Sequence, residues 1–466
     1  MTRVRPGSVG RQGNLLVGLA LLLLSALSSE LAAREISLDD AIRIARQNNH
    51  DHLNRVDEVA MAELDYESVR ANYRTQFRAS GNSNAINGAD LGSYYRVAVS
   101  RSTLSGSRYS AALLNSSYGE RNLSELRFSY TLPFFNKGKK ERNQLELDKA
   151  EMTIARRQRM VSIAEEELAA EVTQAYYGWL LAADRLEMLL DQLAINEASL
   201  ERARIRRDAG ELAALQYEQS TLRLHRVEQS MLQAEFQLQM TEDRLKLLLA
   251  LDVTERLQPS SSVVVPDAIG LLDMPLDTLE NMAVLQRQEL AGQREELQLA
   301  RRRLRNLSDR VLPDLDVDLQ YSLIGEGNRF DDSLALDDQK WGIGLRMDTD
   351  FGASERRSRR SRLYLSLQSM QRGLDAHEQR VRVEVRSKRF DLERAVRALD
   401  IAERSHELML KTDRQTRIRA GRGELSDMNV LESRLEVAEA DFALRSARAD
   451  LALSVHELEL AIGGIP

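Results

Sequence analysis

GELAALQYEQS (residues 210–220) returns later in the chain as GELSDMNVLES (residues 423–433). The opening Gly-Glu-Leu is identical in both, and so is the closing Ser. Between them Ala213/Ser426, Leu215/Met428, Gln216/Asn429 and Gln219/Glu432 occupy matched positions. The offset is 213 residues (423 minus 210), close to half the chain of 466. The sequence is therefore read as one structural unit written twice.

The residues before each copy carry the same offset. Leu168, Val172, Ala175, Trp179, Ala182, Leu186, Leu189 and Leu193 are spaced alternately by four and three, the signature of a coiled-coil seam. Their equivalents are Val381, Val385, Lys388, Leu392, Ala395, Leu399, Ala402 and His406, so only Lys388 and His406 break the apolar series. Each seam is predicted to lie in a proline-free helix, from about Lys139 to Ala209 and from about Ser354 to Ala420. At 1.5 Å per residue each such helix is roughly 100 Å long. A glycine ends each helix (Gly210; Gly421 or Gly423), as expected just past a C-terminus. A shorter returning helix follows, over about 212–251 and 425–462. Each half thus reads as an antiparallel coiled-coil hairpin.

Each half opens with a further helix. The first starts at ISLDDAIRIARQNN, with Ser37 as N-cap and Asp40 three residues on; the second starts at PLDTLENMAVLQRQEL. The segment 257–275 between the halves is proline-rich and reads as a linker with one short strand. These assignments give a first repeat over 34–256 and a second over 276–466.

Between its opening helix and its long helix, each half changes period. DLDVDLQYSL alternates strictly: Leu315, Val317, Leu319, Tyr321 and Leu323 share one face, and Asp314, Asp316, Asp318, Gln320 and Ser322 the other. WGIGLRMDTD places Trp341, Ile343, Leu345 and Met347 on one face. YRVAVS and LRFSYTLPFF repeat the pattern in the first half. Strands are expected over about 74–135 and 314–349, with up to four runs in the first half and two in the second. Taken alone, the pattern fits an ordinary half-buried sheet. Hairpins of about ten residues with aromatic ends in an exported helical chain fit a transmembrane β-barrel, with Leu315, Val317, Leu319, Tyr321, Trp341, Ile343 and Leu345 towards lipid. Four to six strands do not close a barrel, and open edges do not persist in lipid, so several copies must share one.

Export is read from the first 33 residues. Arg3, Arg5 and Arg11 precede the apolar run Leu15–Leu27, and small residues follow, as in a secretory signal peptide. The run is too short to span a bilayer core of ~30 Å. The chain has no cysteine, hence neither a disulfide nor a thiol for lipid attachment. A net charge of −7 argues against nucleic acid as partner. His50 and His52, two residues apart, point to different sides of a helix and read as surface residues rather than metal ligands. No catalytic triad, phosphate-cradling loop or metal-ligand cluster is present, so neither an enzyme nor a cofactor or metal site is expected.

SLDDAIRIARQNN, VLPDLDVDL, LPFFNKGKKE, DTDFGASERR and the doubled Gly-Glu-Leu occur in the order that resembles the outer membrane efflux protein family, the TolC-like proteins. The resemblance implies a homotrimer that forms one β-barrel in the outer membrane and a long α-helical barrel in the periplasm. It further implies a partner adaptor in the periplasm and a pump in the inner membrane, serving drugs, metal ions or secreted proteins. The helix turns would sit at the narrow periplasmic end, where Gly210, Glu211, Leu212, Arg419, Arg422, Gly423, Glu424 and Leu425 become candidates for adaptor contact. Arg417, Arg419 and Arg422 make the second turn basic. Family members often carry acids six and nine residues after the second motif glycine. Those positions here are Asn429 and Glu432, with Asp427 as a compensating acid, and three copies of Glu432 would ring the pore and favour cations. The alternative is that Glu432 is a solvated helix residue beside Arg434. The competing function is a soluble periplasmic coiled-coil adaptor or structural protein, which accounts for the export signal and the seams but has no use for DLDVDLQYSL.

Overall fold

The structure is a computed structural model. It describes residues 34–464 apart from 87–88, 120, 135–136, 211–212, 260–268, 309–313 and 349–352. The expected signal peptide lies outside the described residues.

The elements in chain order are β1 (Arg34–Ile36), α1 (Leu38–Asn48), α2 (His50–Ala71), β2 (Thr75–Ile86), β3 (Ala89–Ser102), β4 (Arg108–Tyr118) and β5 (Arg121–Pro133). Then come α3 (Lys137–Asp208), α4 (Ala214–Leu249), β6 (Leu257–Pro259), α5 (Ile269–Leu272), α6 (Leu276–Gln286) and α7 (Gln288–Ser308). The chain ends with β7 (Asp314–Gly327), α8 (Phe330–Ser333), β8 (Asp338–Asp348), α9 (Ala353–Gly421) and α10 (Asp427–Ala461). The helices α3 and α9 are 72 and 69 residues long. The described residues divide into two compact units, to which both long helices contribute: those within 34–53, 164–283 and 382–464 in one, and those within 54–163 and 284–381 in the other.

The first unit is helical. The face that the four-three spacing selects is the face that packs: Leu168, Val172, Ala175, Trp179 and Leu189 are buried on α3, and Val381, Val385, Leu392 and Ala395 on α9. Leu245 and Leu249 of α4, together with Ala449 and Ala452 of α10, join the α3 residues in one core. Both departures from the seam find an acid on α10. Lys388 Nζ lies 2.8 Å from Glu457, and His406 Nε2 lies 3.7 Å from Asp441. A two-stranded parallel ladder pairs β1 with β6, Arg34 opposite Leu257. Ile36 is fully buried there, and its carbonyl accepts from the Tyr176 hydroxyl at 3.1 Å.

Each opening helix is broken once. Ser37 caps α1, its Oγ accepting from the Asp40 amide at 3.2 Å and donating to Asp40 Oδ2 at 2.8 Å. The helix stops at Asn49, whose side chain donates to the Leu248 carbonyl at 3.0 Å and accepts from the His52 amide at 3.1 Å. Asn49 thus caps α2. His52 corrects a sequence expectation: it is buried, with Nε2 3.7 Å from Glu165 of α3. His50 is exposed, as expected. In the second repeat the break falls at Arg287, between α6 and α7.

The second unit holds one antiparallel sheet of six strands in the order β2-β3-β4-β5-β7-β8. The first half supplies four strands, and the two halves join along the β5–β7 ladder. Inside each pleat, alternation assigns alternate residues to opposite faces. Lys139, in the first turn of α3, forms an ion pair with Asp316 of β7, fixing the helix entry to the sheet.

Candidate functional site

The cross-strand register gathers most of the large apolar residues of the six strands on one face, with Arg101 and Thr75 at its margin in the Tyr109–Tyr130 row. One row runs Phe77, Val99, Ala111, Phe128, Tyr321, Trp341 across the sheet. The next pairs Tyr109 with Tyr130, whose rings stack at 4.7 Å, and continues through Leu319 to Ile343. A third pairs Leu132 with Val317 and Leu345. The seven residues assigned to lipid from sequence all lie on this face. Val317 and Leu315 are half-buried, whereas Trp341 and Leu345 are about three-quarters exposed (75% and 73%). The band from Leu315 to Leu323 is about 27 Å long on the strand and, with a tilt of about 40°, about 21 Å high. An outward apolar band of a membrane barrel is ~25 Å tall.

The opposite face is mostly polar, with Leu114 and Ile324 among its apolar members. Its rows carry Gln76, Ser100, Ser110, Ser129 and Gln320, and then Arg78, Arg127 and Lys340. Asp318 accepts from Thr131 at 2.6 Å and lies 3.3 Å from Arg346. No described helix is long and apolar enough to cross a membrane.

The two Gly-Glu-Leu turns share one backbone device. Gly210 and Gly423 both adopt left-handed φ, +79° and +77°. At the second turn the Gly423 amide donates to the Ala420 carbonyl (2.9 Å) and the Glu424 amide to the Arg419 carbonyl (3.0 Å). These two bonds form a Schellman cap and satisfy carbonyls that the helix end leaves open. The glycine that ends α9 in this way is Gly423, since Gly421 is still helical. At the first turn the Gly210 amide donates to Arg207, whose guanidinium sits 4.1 Å above the Tyr217 ring. Glu211 and Leu212 lie outside the described residues.

The second turn carries less net positive charge than its three arginines suggest. Arg417 pairs with Asp413, and Arg419 Nε lies 3.1 Å from Glu424. Both turn arginines, Arg419 and Arg422, are exposed; Leu425 is half-buried.

Asn429 has a task that the sequence did not reveal. Its Oδ1 accepts from the Ser426 amide at 3.2 Å and from Ser426 Oγ at 2.7 Å, completing a capping box at the start of α10. An S-x-x-N pattern before an apolar run was the available signal. Glu432 is exposed one turn on, beside the buried Leu431. Asp427 opens α10. Among the described residues, no group of three or more His, Asp or Glu is arranged to hold a metal ion.

The fold joins a sheet with one largely apolar and one largely polar face to long paired helices. The structure matches that of CusC, described in terms of transmembrane channel formation, at 15% identity over 92% of each chain, TM-score 0.67. It matches the outer-membrane channel OprN at 16% identity over 92% of this chain and 90% of that one, TM-score 0.67. The Campylobacter jejuni CmeC outer membrane channel matches at 16% identity, 92% and 85% coverage and TM-score 0.68. No curated protein matches in sequence. Residues 90–251 match the sequence model of the outer membrane efflux protein family. Residues 90–251 are thus similar in sequence to the outer membrane efflux proteins, and 92% of the chain shares the fold of the solved outer-membrane channels.

Proposed function

We propose that this protein is the outer-membrane exit duct of a tripartite efflux or type I secretion system. Three copies share one β-barrel and continue it as a helical tunnel into the periplasm. The duct is passive and meets an inner-membrane pump through a periplasmic adaptor, so the pump selects what passes. The observation that carries this reading is the exposed apolar face that runs unbroken from Phe77 to Trp341 across six strands. A soluble protein rarely leaves so large an apolar surface uncovered. That same face weighs against a soluble periplasmic adaptor.

In this reading the Gly-Glu-Leu turns form the periplasmic tip. Arg422 and the paired Arg419 offer the adaptor its contact, and Glu432 supplies three carboxylates at the constriction. Asn429 serves the cap and contributes no charge.

Fractionation tests the proposal. The protein is expected in detergent extracts of the outer membrane as a trimer that dissociates on heating. Recovery as a soluble periplasmic species would overturn it.

A further inference from the structure

We propose that every copy contributes all six strands to the wall, so that three copies close an 18-stranded barrel in which β8 of one copy pairs with β2 of the next. This rests on the channel reading above and adds the composition and width of its membrane part. The sequence leaves the extra first-half hairpin free either to join a barrel or to fold back as a loop. The structure puts β2 and β3 in the same sheet as the other four strands.

Three features favour closure by a second copy of this chain. First, the two unpaired edges match. β2 has 12 residues, ten of them before a bulge at Asn84/Ala85, and β8 has 11; neither contains proline, so each offers a row of amides and carbonyls of similar length. Second, the directions agree. Five antiparallel steps separate β2 from β8, so the two strands run in opposite senses and a β8–β2 junction continues the antiparallel pattern. Third, the faces agree. Phe77 at one edge and Trp341 at the other lie in one row on the apolar side, and Arg78 and Lys340 lie in one row on the polar side. The apolar row of Phe77 and Trp341 then continues from copy to copy. In hydrocarbon an unpaired strand edge leaves unsatisfied backbone groups, which closure removes.

Were β2 and β3 outside the wall, four strands per copy would close at twelve. With a strand spacing of about 4.8 Å and a tilt of about 40°, twelve strands enclose a cylinder about 24 Å across and eighteen about 35 Å. Barrels of sixteen to eighteen strands hold an open aqueous lumen. The proposal therefore makes the outer-membrane part of this duct a wide pore, lined by the row of Arg78, Arg127 and Lys340.

The absence of native cysteine allows a direct test. Lys340→Cys or Arg346→Cys on β8 is combined with Cys at Gln76, Arg78 or Ser80 on β2, or at Ser110 or Ala112 on β4. Within one copy β2 and β8 are five strand spacings apart, about 24 Å, beyond disulfide reach, so a β8–β2 bond joins two copies. Outer-membrane trimers carrying β8–β2 pairs should shift on oxidation from monomer to dimer and trimer mass in non-reducing gels, and revert on reduction. Crosslinking through β4 instead, or no crosslinking by any β2 pair in trimers recovered from the outer membrane, would overturn the six-strand wall while leaving the channel reading intact. Failure to recover outer-membrane trimers at all would overturn both.

Discussion

Arg445 Nη1 lies 2.9 Å from Asp184 Oδ1, tying the second returning helix α10 to the first long helix α3 across 261 residues of sequence. The same guanidinium reaches Asp441 at 3.1 Å and Glu187 at 3.8 Å. Asp184 is half-buried, and burial raises its pKa above the usual 3.8 while Arg445 pulls it back. A raised carboxylate pKa means that the folded state binds the proton more readily than the unfolded chain. The charged Asp184 therefore costs stability above its folded pKa, and that cost is relieved as pH falls through it.

Arg445→Ala should accordingly destabilise the helical unit by about 1 kcal/mol at neutral pH, because a half-buried carboxylate loses its partner. The deficit should shrink on acidification, since Asp184 is then protonated. Thermal unfolding of wild type and variant across a pH series checks this. A deficit that is constant with pH would show that Asp184 is not the group left stranded.

The cap at Gly423 predicts a conformational penalty with no steric part. A Cβ built there meets nothing within 4 Å, yet φ is +77°. Gly423→Ala should cost about 1–2 kcal/mol, and Gly423→Asn less, because Asn tolerates the left-handed region. Gly210, at φ +79° in equally open space, should behave alike. Chemical denaturation of the four variants reads the difference.

The two faces of β7 should respond oppositely to charge. Leu319 sits on the apolar face, and Leu319→Arg should lose about 2–4 kcal/mol where the face meets lipid. Its neighbour Gln320 faces the other way, and Gln320→Arg should be tolerated. The quantity of folded protein in the outer membrane discriminates the two; equal loss would argue against a lipid-facing Leu319.

Glu432→Gln tests the charged constriction. Cation preference in planar-bilayer conductance should weaken. Unchanged selectivity would remove Glu432 from the pore.

Arg422→Glu combined with Arg419→Glu should weaken adaptor binding by tenfold or more. Arg419 alone should matter less, because Glu424 already neutralises it. Intact binding of the double variant, measured by co-purification with the cognate adaptor, would free the turn of a docking role.

The sequence was most legible where one periodicity runs long. The seam from Leu168 to Leu193 could be traced because every third or fourth residue obeys one rule, and helices of that length average out local noise. The strands could be traced for the same reason at period two. Single-residue events were not. The break at Asn49 depends on a side chain reaching Leu248, 199 residues away, and nothing local announces it. His52 looked like a surface residue because its burial is imposed by α3. At the candidate tip, left-handed glycine was predictable from Gly-Glu-Leu, but the pairing of Arg417 and Arg419 with nearby acids depends on how the turn closes. Asn429 matches a pore position in register, and its capping of α10 depends on how Ser426 is turned toward it.

The β5–β7 ladder has a further consequence for how the chain is made. Leu132 pairs with Val317, 185 residues later in synthesis. At roughly 5–20 residues per second, the open edge of β5 waits about 10–40 s for its partner to exist. During that time the first-half strands present an apolar face and an unpaired edge, the surface on which chains aggregate. The two repeats are thus separable in sequence but not in folding, and the first needs shielding until the second arrives.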